Sequence, residues 1–193
     1  MEEKEISSPE ESLEIIRLMV EKAKSTVVDN SFLFLLWGWF VLVCSLGQYF
    51  LKVVYQKAYH YYPWALLIIA LLIPLFRGRK KVTQTYVDYT IGNTWIGILI
   101  SYVLFTAIFF RIGWEHCYPF YIFLMSLGGF LTGKFLDFNP LVVGGIGGAA
   151  LALLTAFLDF DQDILVCCLA ILICYIIPGY MLRSRYKAGL HVQ

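Results

Sequence analysis

Six runs of mainly apolar residues, separated by short polar stretches, constrain the fold of this chain more than any other feature. The hydrocarbon core of a bilayer is about 30 Å thick, so a helix that crosses it needs about 20 such residues. The second and fourth runs are short, but interfacial Trp and Tyr residues flank them. The sequence therefore predicts an all-α, polytopic membrane protein with six transmembrane helices, which cover residues 31–51, 62–76, 94–110, 118–133, 141–158 and 164–182.

The composition excludes an ordinary soluble domain. Of the 193 residues, 60% are hydrophobic and 15% are charged, whereas soluble proteins average roughly 25% charged residues. Residues 1–30 lack the apolar core of a signal peptide, so we expect them to be retained. The five cysteines show no metal-binding spacing, and we interpret them as free thiols that act as small apolar side chains.

The distribution of basic residues predicts the orientation in the membrane. With six spans and a cytoplasmic N-terminus, all of the 15 Lys and Arg residues except Lys52, Lys57 and Arg111 fall on the cytoplasmic side. This bias satisfies the positive-inside rule, so both termini are predicted to be cytoplasmic in a bacterial inner membrane. The predicted organisation is a cytoplasmic helix and tail at 1–30, a six-span bundle at 31–183 and a short cytoplasmic tail at 184–193.

The N-terminal segment is predicted to form an amphipathic helix. Ser8, Pro9 and Glu11 fit a capping box with proline at the first helical position. The apolar residues that follow recur at three- and four-residue steps and form one stripe, consisting of Leu13, Ile16, Val20, Ala23 and Val27. Two interpretations remain open. The helix lies on the membrane or on the bundle, or it presents the stripe to a partner protein.

A glycine-rich stretch in the fifth run, PLVVGGIGGAALALL at 140–154, has two interpretations. A dinucleotide-binding loop requires G-x-G-x-x-G between a strand and a soluble helix, and neither the spacing nor the surrounding apolar run fits. Small residues at four-residue steps, which are Gly144, Gly148, Ala152 and Ala156, instead form one ridge on a helix. Together with Gly129 and Gly133 in the preceding run, this ridge predicts GxxxG-type packing of an antiparallel hairpin.

The loops on the predicted outer side contain the clearest group of metal-ligand types. His60, Glu115 and His116 are expected at similar depth, and Asp159, Asp161 and Asp163 lie on another outer loop. Imidazole and carboxylate groups together suit zinc or a similar divalent ion. Interfacial histidines beside an acidic loop explain the same residues, and this interpretation is preferred. We therefore predict no metal, no cofactor and no catalytic residue.

A possible duplication relates two pairs of runs. His60-Tyr61-Tyr62-Pro63 precedes the second run, and His116-Cys117-Tyr118-Pro119 precedes the fourth, 56 residues later. Helical hairpins repeated in this way occur in some transporters. Proline at a helix start and tyrosine at an interface explain the motif equally well.

Three segments carry a resemblance to a known group of proteins. They are SPEESLEIIRLMVEKAKSTVVDNSFLFLLWGW at 8–39, NPLVVGGIGG at 139–148 and YIIPGYMLRSR at 175–185. In these segments the chain resembles a group of small uncharacterised multi-spanning proteins of Bacteroidota. The resemblance implies a bacterial inner membrane, and it implies no activity and no catalytic residue.

These features together predict a non-enzymatic membrane protein that acts as a scaffold, sensor or accessory subunit through its cytoplasmic helix. The alternative is a small-solute transporter or channel built from helical hairpins. A membrane enzyme ranks third, because it requires His60, Glu115 and His116 to converge. Expected partners are the lipid bilayer and a cytoplasmic protein or a second copy of the chain, with no nucleic acid and no nucleotide.

Overall fold

The fold is taken from a computed structural model, which describes residues 32, 34–67, 69 and 86–190. The predicted amphipathic helix at 1–30 lies outside the described residues, as do residues 68 and 70–76 of the second predicted span. Within the described part of the chain all regular structure is helical and no strand occurs. The predicted all-α class is confirmed.

Six helical segments follow the order of the predicted runs. Segment α2 is represented by the 3-10 turn Tyr62–Ala65 and the helical residues 66, 67 and 69. Segment α6 covers residues 160–190 and contains one π-helical stretch, Leu172–Ile176. The other four helices are α1 at Phe34–Val54, α3 at Tyr86–Ile112, α4 at Cys117–Phe135 and α5 at Asn139–Thr155.

Three of these helices are long and apolar enough to cross a membrane. They are Phe34–Val54 in α1, Tyr89–Ile112 in α3 and Phe160–Arg185 in α6, with mean hydropathy between 1.7 and 2.5. The spans predicted at 31–51, 94–110 and 164–182 fall on them. Helices α4 and α5 are shorter, with 19 and 17 residues, or roughly 28 and 26 Å at 1.5 Å per residue.

Helices α4 and α5 form a tightly packed antiparallel hairpin. Only residues 136–138 separate them, and Asp137 takes a left-handed conformation with φ of 48°. Pro140 lies in the first turn of α5, where its missing N–H has no helical partner to lose. A Cβ on Gly145 would lie 2.7 Å from the backbone nitrogen of Phe130 in α4. Only glycine permits this approach of the two backbones.

The glycine ridge of α5 faces α6 as well as α4, which the sequence did not predict. A Cβ on Gly144 would lie 2.6 Å from the carbonyl oxygen of Ile173 in α6. A Cβ on Gly148 would clash with both Cys174 of α6 and Ser126 of α4. A Cβ on Gly129, the predicted partner residue, would lie 3.8 Å from the Cys174 carbonyl oxygen, so Gly129 faces α6.

The π-helical stretch of α6 lies at this contact. Pro178 lacks an N–H, so the carbonyl of residue 174 has no regular helical donor, and wide turns are a common response to such a break. Pro178 is fully buried, and its ring lies 3.3 Å from the position of a Cβ on Gly144. The break at Pro178 therefore takes the form of a wide turn beside the glycine ridge.

All five cysteines are free and buried, as the sequence predicted. They fill positions in the core, together with Phe109, Ile122 and Leu141. The two halves of the possible duplication differ in environment. Tyr62 is 73% exposed, whereas the equivalent Tyr118 is 3% exposed, so the shared motif does not extend to shared packing.

Candidate functional site

Helix α1 carries a polar stripe that faces the rest of the bundle. Ser45, Gln48 and Lys52 are three and four residues apart, which places them on one face. The Ser45 hydroxyl lies 3.7 Å from the Cys167 sulfur of α6, and both Ser45 and Gln48 are buried. The stripe rises from the buried core to the end of the helix, where Lys52 is partly exposed.

Gln48 connects three segments of the chain through its side-chain amide. Its Oε1 accepts a hydrogen bond from the Tyr118 hydroxyl of α4 at 2.8 Å and another from the indole N–H of Trp64 in α2. Its Nε2 lies 3.4 Å from Nδ1 of His60. Every polar atom of this buried amide therefore has a partner, and the amide orients three neighbouring side chains.

His60 is held in its neutral form by this arrangement. An amide nitrogen only donates, so Nδ1 of His60 accepts and its ring proton is on Nε2. Partial burial lowers the pKa of His60 and the nearby Lys52 lowers it further, whereas Asp161 opposes the shift. The His60 ring packs on Tyr61, with centroids 3.9 Å apart.

A polar cleft of about 500 Å³ opens directly above this cluster. We call it the rim cleft. It lies where α1, α3 and α5 end and α6 begins. Its lining residues are Lys52, Tyr61, Glu115, His116, Leu158, Asp159 and Phe160. A volume of this size is typical of small-molecule sites, which range over about 300–1,000 Å³.

Only some of the charged side chains around the cleft form ion pairs. Lys52 forms an ion pair with Asp161 at 2.7 Å, and its ammonium lies 3.8 Å from the centre of the Phe160 ring. This is the one ion pair found within the described residues. Glu115 and Asp159 have none. Partial burial raises the pKa of Tyr61, with smaller contributions from Cys117 and Glu115.

Asp163 lies in the first turn of α6, where its backbone N–H donates at 3.0 Å to the carbonyl of Asp159, a lining residue of the cleft. Its side chain is 2% exposed, and its Oδ1 is buried without a hydrogen-bond partner. Its charge interacts with those of Asp159 and His116, which both line the cleft. Buried carboxylate oxygens are nearly always hydrogen bonded, so this one calls for a partner that the described residues do not supply.

The predicted rim residues converge only in part. Glu115, His116 and Asp159 line one cleft, whereas His60 faces Gln48 and Asp161 pairs with Lys52. Among the described residues, no three His, Cys, Asp or Glu side chains are placed to hold a metal ion. The sequence interpretation overlooked Lys52, Tyr61 and Phe160. The spacing of Lys52 from Ser45 and Gln48 could have indicated that Lys52 lies on the same helix face as these two buried polar residues.

Polar residues elsewhere in the bundle are hydrogen bonded locally. Ser126 donates to the Ile122 carbonyl at 2.7 Å, and Thr132 donates to Gly128 at 2.8 Å. Thr155 donates to Ala152 at 2.7 Å. All three side chains are buried, so they stabilise helix packing and are shielded from water.

No protein-family model, no curated protein and no solved structure matches this chain. The resemblance to multi-spanning proteins of Bacteroidota stays a prediction. Function must accordingly be argued from the geometry of the site.

Proposed function

We propose that the chain is a six-span membrane protein whose rim cleft faces the outside and whose termini are cytoplasmic. Strong support for a membrane environment comes from α3, since only 11% of its most apolar 18-residue stretch is buried within the bundle. Its outward side chains are Ile96, Leu99, Ile100, Val103, Leu104 and Ile108. Such an apolar surface is unfavourable in water and suits lipid. The hairpin of α4 and α5 would then supply two further spans.

Within that membrane, we propose a non-enzymatic role as a sensor or accessory subunit that acts on a cytoplasmic partner. The observation that carries this proposal is the closed centre of the bundle. The polar side chains that could line a solute pathway are Ser45, Gln48, Ser101 and Ser126. Ser45, Gln48 and Ser126 are each at most 1% exposed and hydrogen bonded, and Ser101 is partly buried and bonds to Gly97 of its own helix. A bundle closed in this way favours signalling or assembly over transport. The predicted amphipathic segment at 1–30 would provide the cytoplasmic contact.

Co-purification from mild detergent tests the partner role. In one variant Leu13, Ile16 and Val20 of the predicted apolar stripe become Ser. In the matched control Glu14, Glu21 and Lys24 of the opposite face become Ser. We expect the stripe variant to lose specific cytoplasmic proteins that the wild type and the control retain. Identical protein sets from all three would contradict the partner role.

A small-solute transporter is the second candidate, because the rim cleft lies above the buried Ser45 and Gln48. This function requires water to reach those side chains in another state of the bundle. Cysteines introduced at Ser45, Gln48 and Ser126 distinguish the two candidates. Protection from a small water-soluble thiol reagent at all three positions favours the sensor, and reaction at all three positions favours transport.

A further inference from the structure

We propose that the rim cleft binds a small organic cation with a primary or quaternary ammonium group. This goes beyond the proposed cytoplasmic function, since it assigns a ligand to the opposite end of the bundle. It rests on three properties of the cleft: its unpaired carboxylates, a buried carboxylate oxygen without a partner, and aromatic rings in the wall.

The cleft has more negative than positive charge. Lys52 is the basic residue that lines it, and Asp161 already pairs with that ammonium group at 2.7 Å. Glu115 and Asp159 line the same cleft and have no ion pair among the described residues. A positively charged ligand would therefore be attracted, and an anion would be repelled.

Asp163 supplies the independent observation. It follows Asp159, the N-cap residue of α6, by four positions, and the charges of the two carboxyl groups interact. Its Oδ1 is buried and has no hydrogen-bond donor within the described residues. Leaving such an acceptor unpaired is costly, and a charged N–H donor is the strongest partner available to a carboxylate. A primary ammonium ligand seated against Asp159 would donate an N–H to this oxygen, whereas a quaternary ammonium has no N–H and would be held by the carboxylate charges and the aromatic rings alone.

The aromatic wall selects an organic cation over a metal ion. Phe160 and Tyr61 line the cleft beside the carboxylates, and aromatic faces attract ammonium groups. The bundle already contains an example of this recognition, because the Lys52 ammonium lies 3.8 Å from the Phe160 ring centre and also contacts Asp161. A metal site needs several ligating side chains instead, and no set of three is present among the described residues.

Calorimetry on the full chain in detergent tests the proposal. The probes are choline and propylammonium, with 3,3-dimethylbutan-1-ol and butan-1-ol as neutral analogues of similar shape. Calcium and zinc chloride form a separate arm. The test variants are Asp159→Asn and Asp163→Asn. The matched control is Asp137→Asn, which makes the same change at an exposed acid at the opposite end of α4.

We expect saturable binding of at least one ammonium probe and none of its neutral analogue. Loss of a charged hydrogen-bonding partner should weaken that binding by about tenfold or more in the Asp159 variant. The Asp163 variant should show the same loss for propylammonium, and the control should match the wild type. The Asp159 variant alone decides the result if Asp163→Asn unfolds.

Three results would overturn the assignment. The first is no binding of either ammonium probe, and the second is equal binding of the neutral analogues. The third is saturable binding of calcium or zinc that Asp159→Asn abolishes while ammonium binding is absent, which would make the cleft a metal site.

Discussion

At the scale of single residues, the buried side-chain amide of Gln48 connects three other side chains. One amide satisfies the Trp64 indole and the Tyr118 hydroxyl and also reaches His60. Replacing it by leucine would leave these donors partly buried and unpaired. We expect Gln48→Leu to lower the free energy of unfolding by about 1–3 kcal/mol, as measured by SDS titration in mixed micelles.

Ser101→Ala is the control for this substitution, because Ser101 is only partly buried and bonds to Gly97 of its own helix at 3.0 Å. It should change the stability by a few tenths of a kcal/mol at most. Wild-type stability in the Gln48 variant would show that the amide cluster does not stabilise the bundle.

His60 provides a pH-dependent prediction at the same scale. Its pKa is lowered in the folded protein through burial and the charge of Lys52. The unfolded chain therefore binds a proton at a higher pH, near the ordinary value of 6.5, than the folded chain does. This contribution to stability is fully present above that value and is lost as the pH falls towards the folded pKa.

We accordingly expect the unfolding temperature of the wild type to decrease relative to that of His60→Gln when the pH is lowered from 7.5 to 5.5. The partly exposed site makes the difference modest. His116→Gln, at a second rim histidine, is the control. An unchanged pH slope in the His60 variant would refute the assigned neutral state.

At the scale of helical elements, periodic and compositional signals predicted the helices well. The runs at 94–110 and 118–133 fall within α3 and α4, because long apolar stretches have few other stable conformations in a bilayer. The helix ends were less predictable. Helix α1 continues to Val54 through a π-helical turn, which brings Lys52 into the helix, and no local residue pattern indicated that turn.

The glycine ridge of α5 yields a prediction for helix packing. A Cβ on Gly148 would clash with the Cys174 sulfur and the Ser126 hydroxyl, and both side chains are buried. We expect Gly148→Ala to reduce the free energy of unfolding by about 1–3 kcal/mol, as overpacking typically does. Gly148→Leu should reduce it further. Stability in mixed micelles measures both effects.

Gly97→Ala is the matched control on α3, because nothing lies within 4 Å of the added Cβ. Alanine has the higher helix propensity, so this variant should be as stable as the wild type or slightly more stable. Combining Gly148→Ala with Cys174→Ala removes one clashing atom and should recover part of the loss. Equal stability of the Gly148 and Gly97 variants would contradict the close packing of Gly148 against α4 and α6.

At the scale of the whole molecule, the rim cleft shows what the sequence could not specify. Glu115 and Asp159 are 44 residues apart in the sequence, and only the packing of α4 against α5 and α6 brings them to one opening. The sequence grouped His60, Glu115 and His116 by expected depth alone. Depth follows from helix length, but the rotation of each helix about its axis depends on long-range packing, so His60 faces Gln48 instead.

The arrangement in the membrane gives the last prediction. All five native cysteines are buried, so an impermeant maleimide should label wild-type protein in intact cells weakly. Single cysteines at Glu115, Asp137 and Arg183 report on three exposed sites near the ends of α4 and α6. In the six-span arrangement, Glu115→Cys is labelled in intact cells, whereas Asp137→Cys and Arg183→Cys react only after permeabilisation. If Asp137→Cys reacted as readily as Glu115→Cys, α4 would not cross the bilayer. The six-span count would then fall to four, because α4 and α5 enter it together as one hairpin.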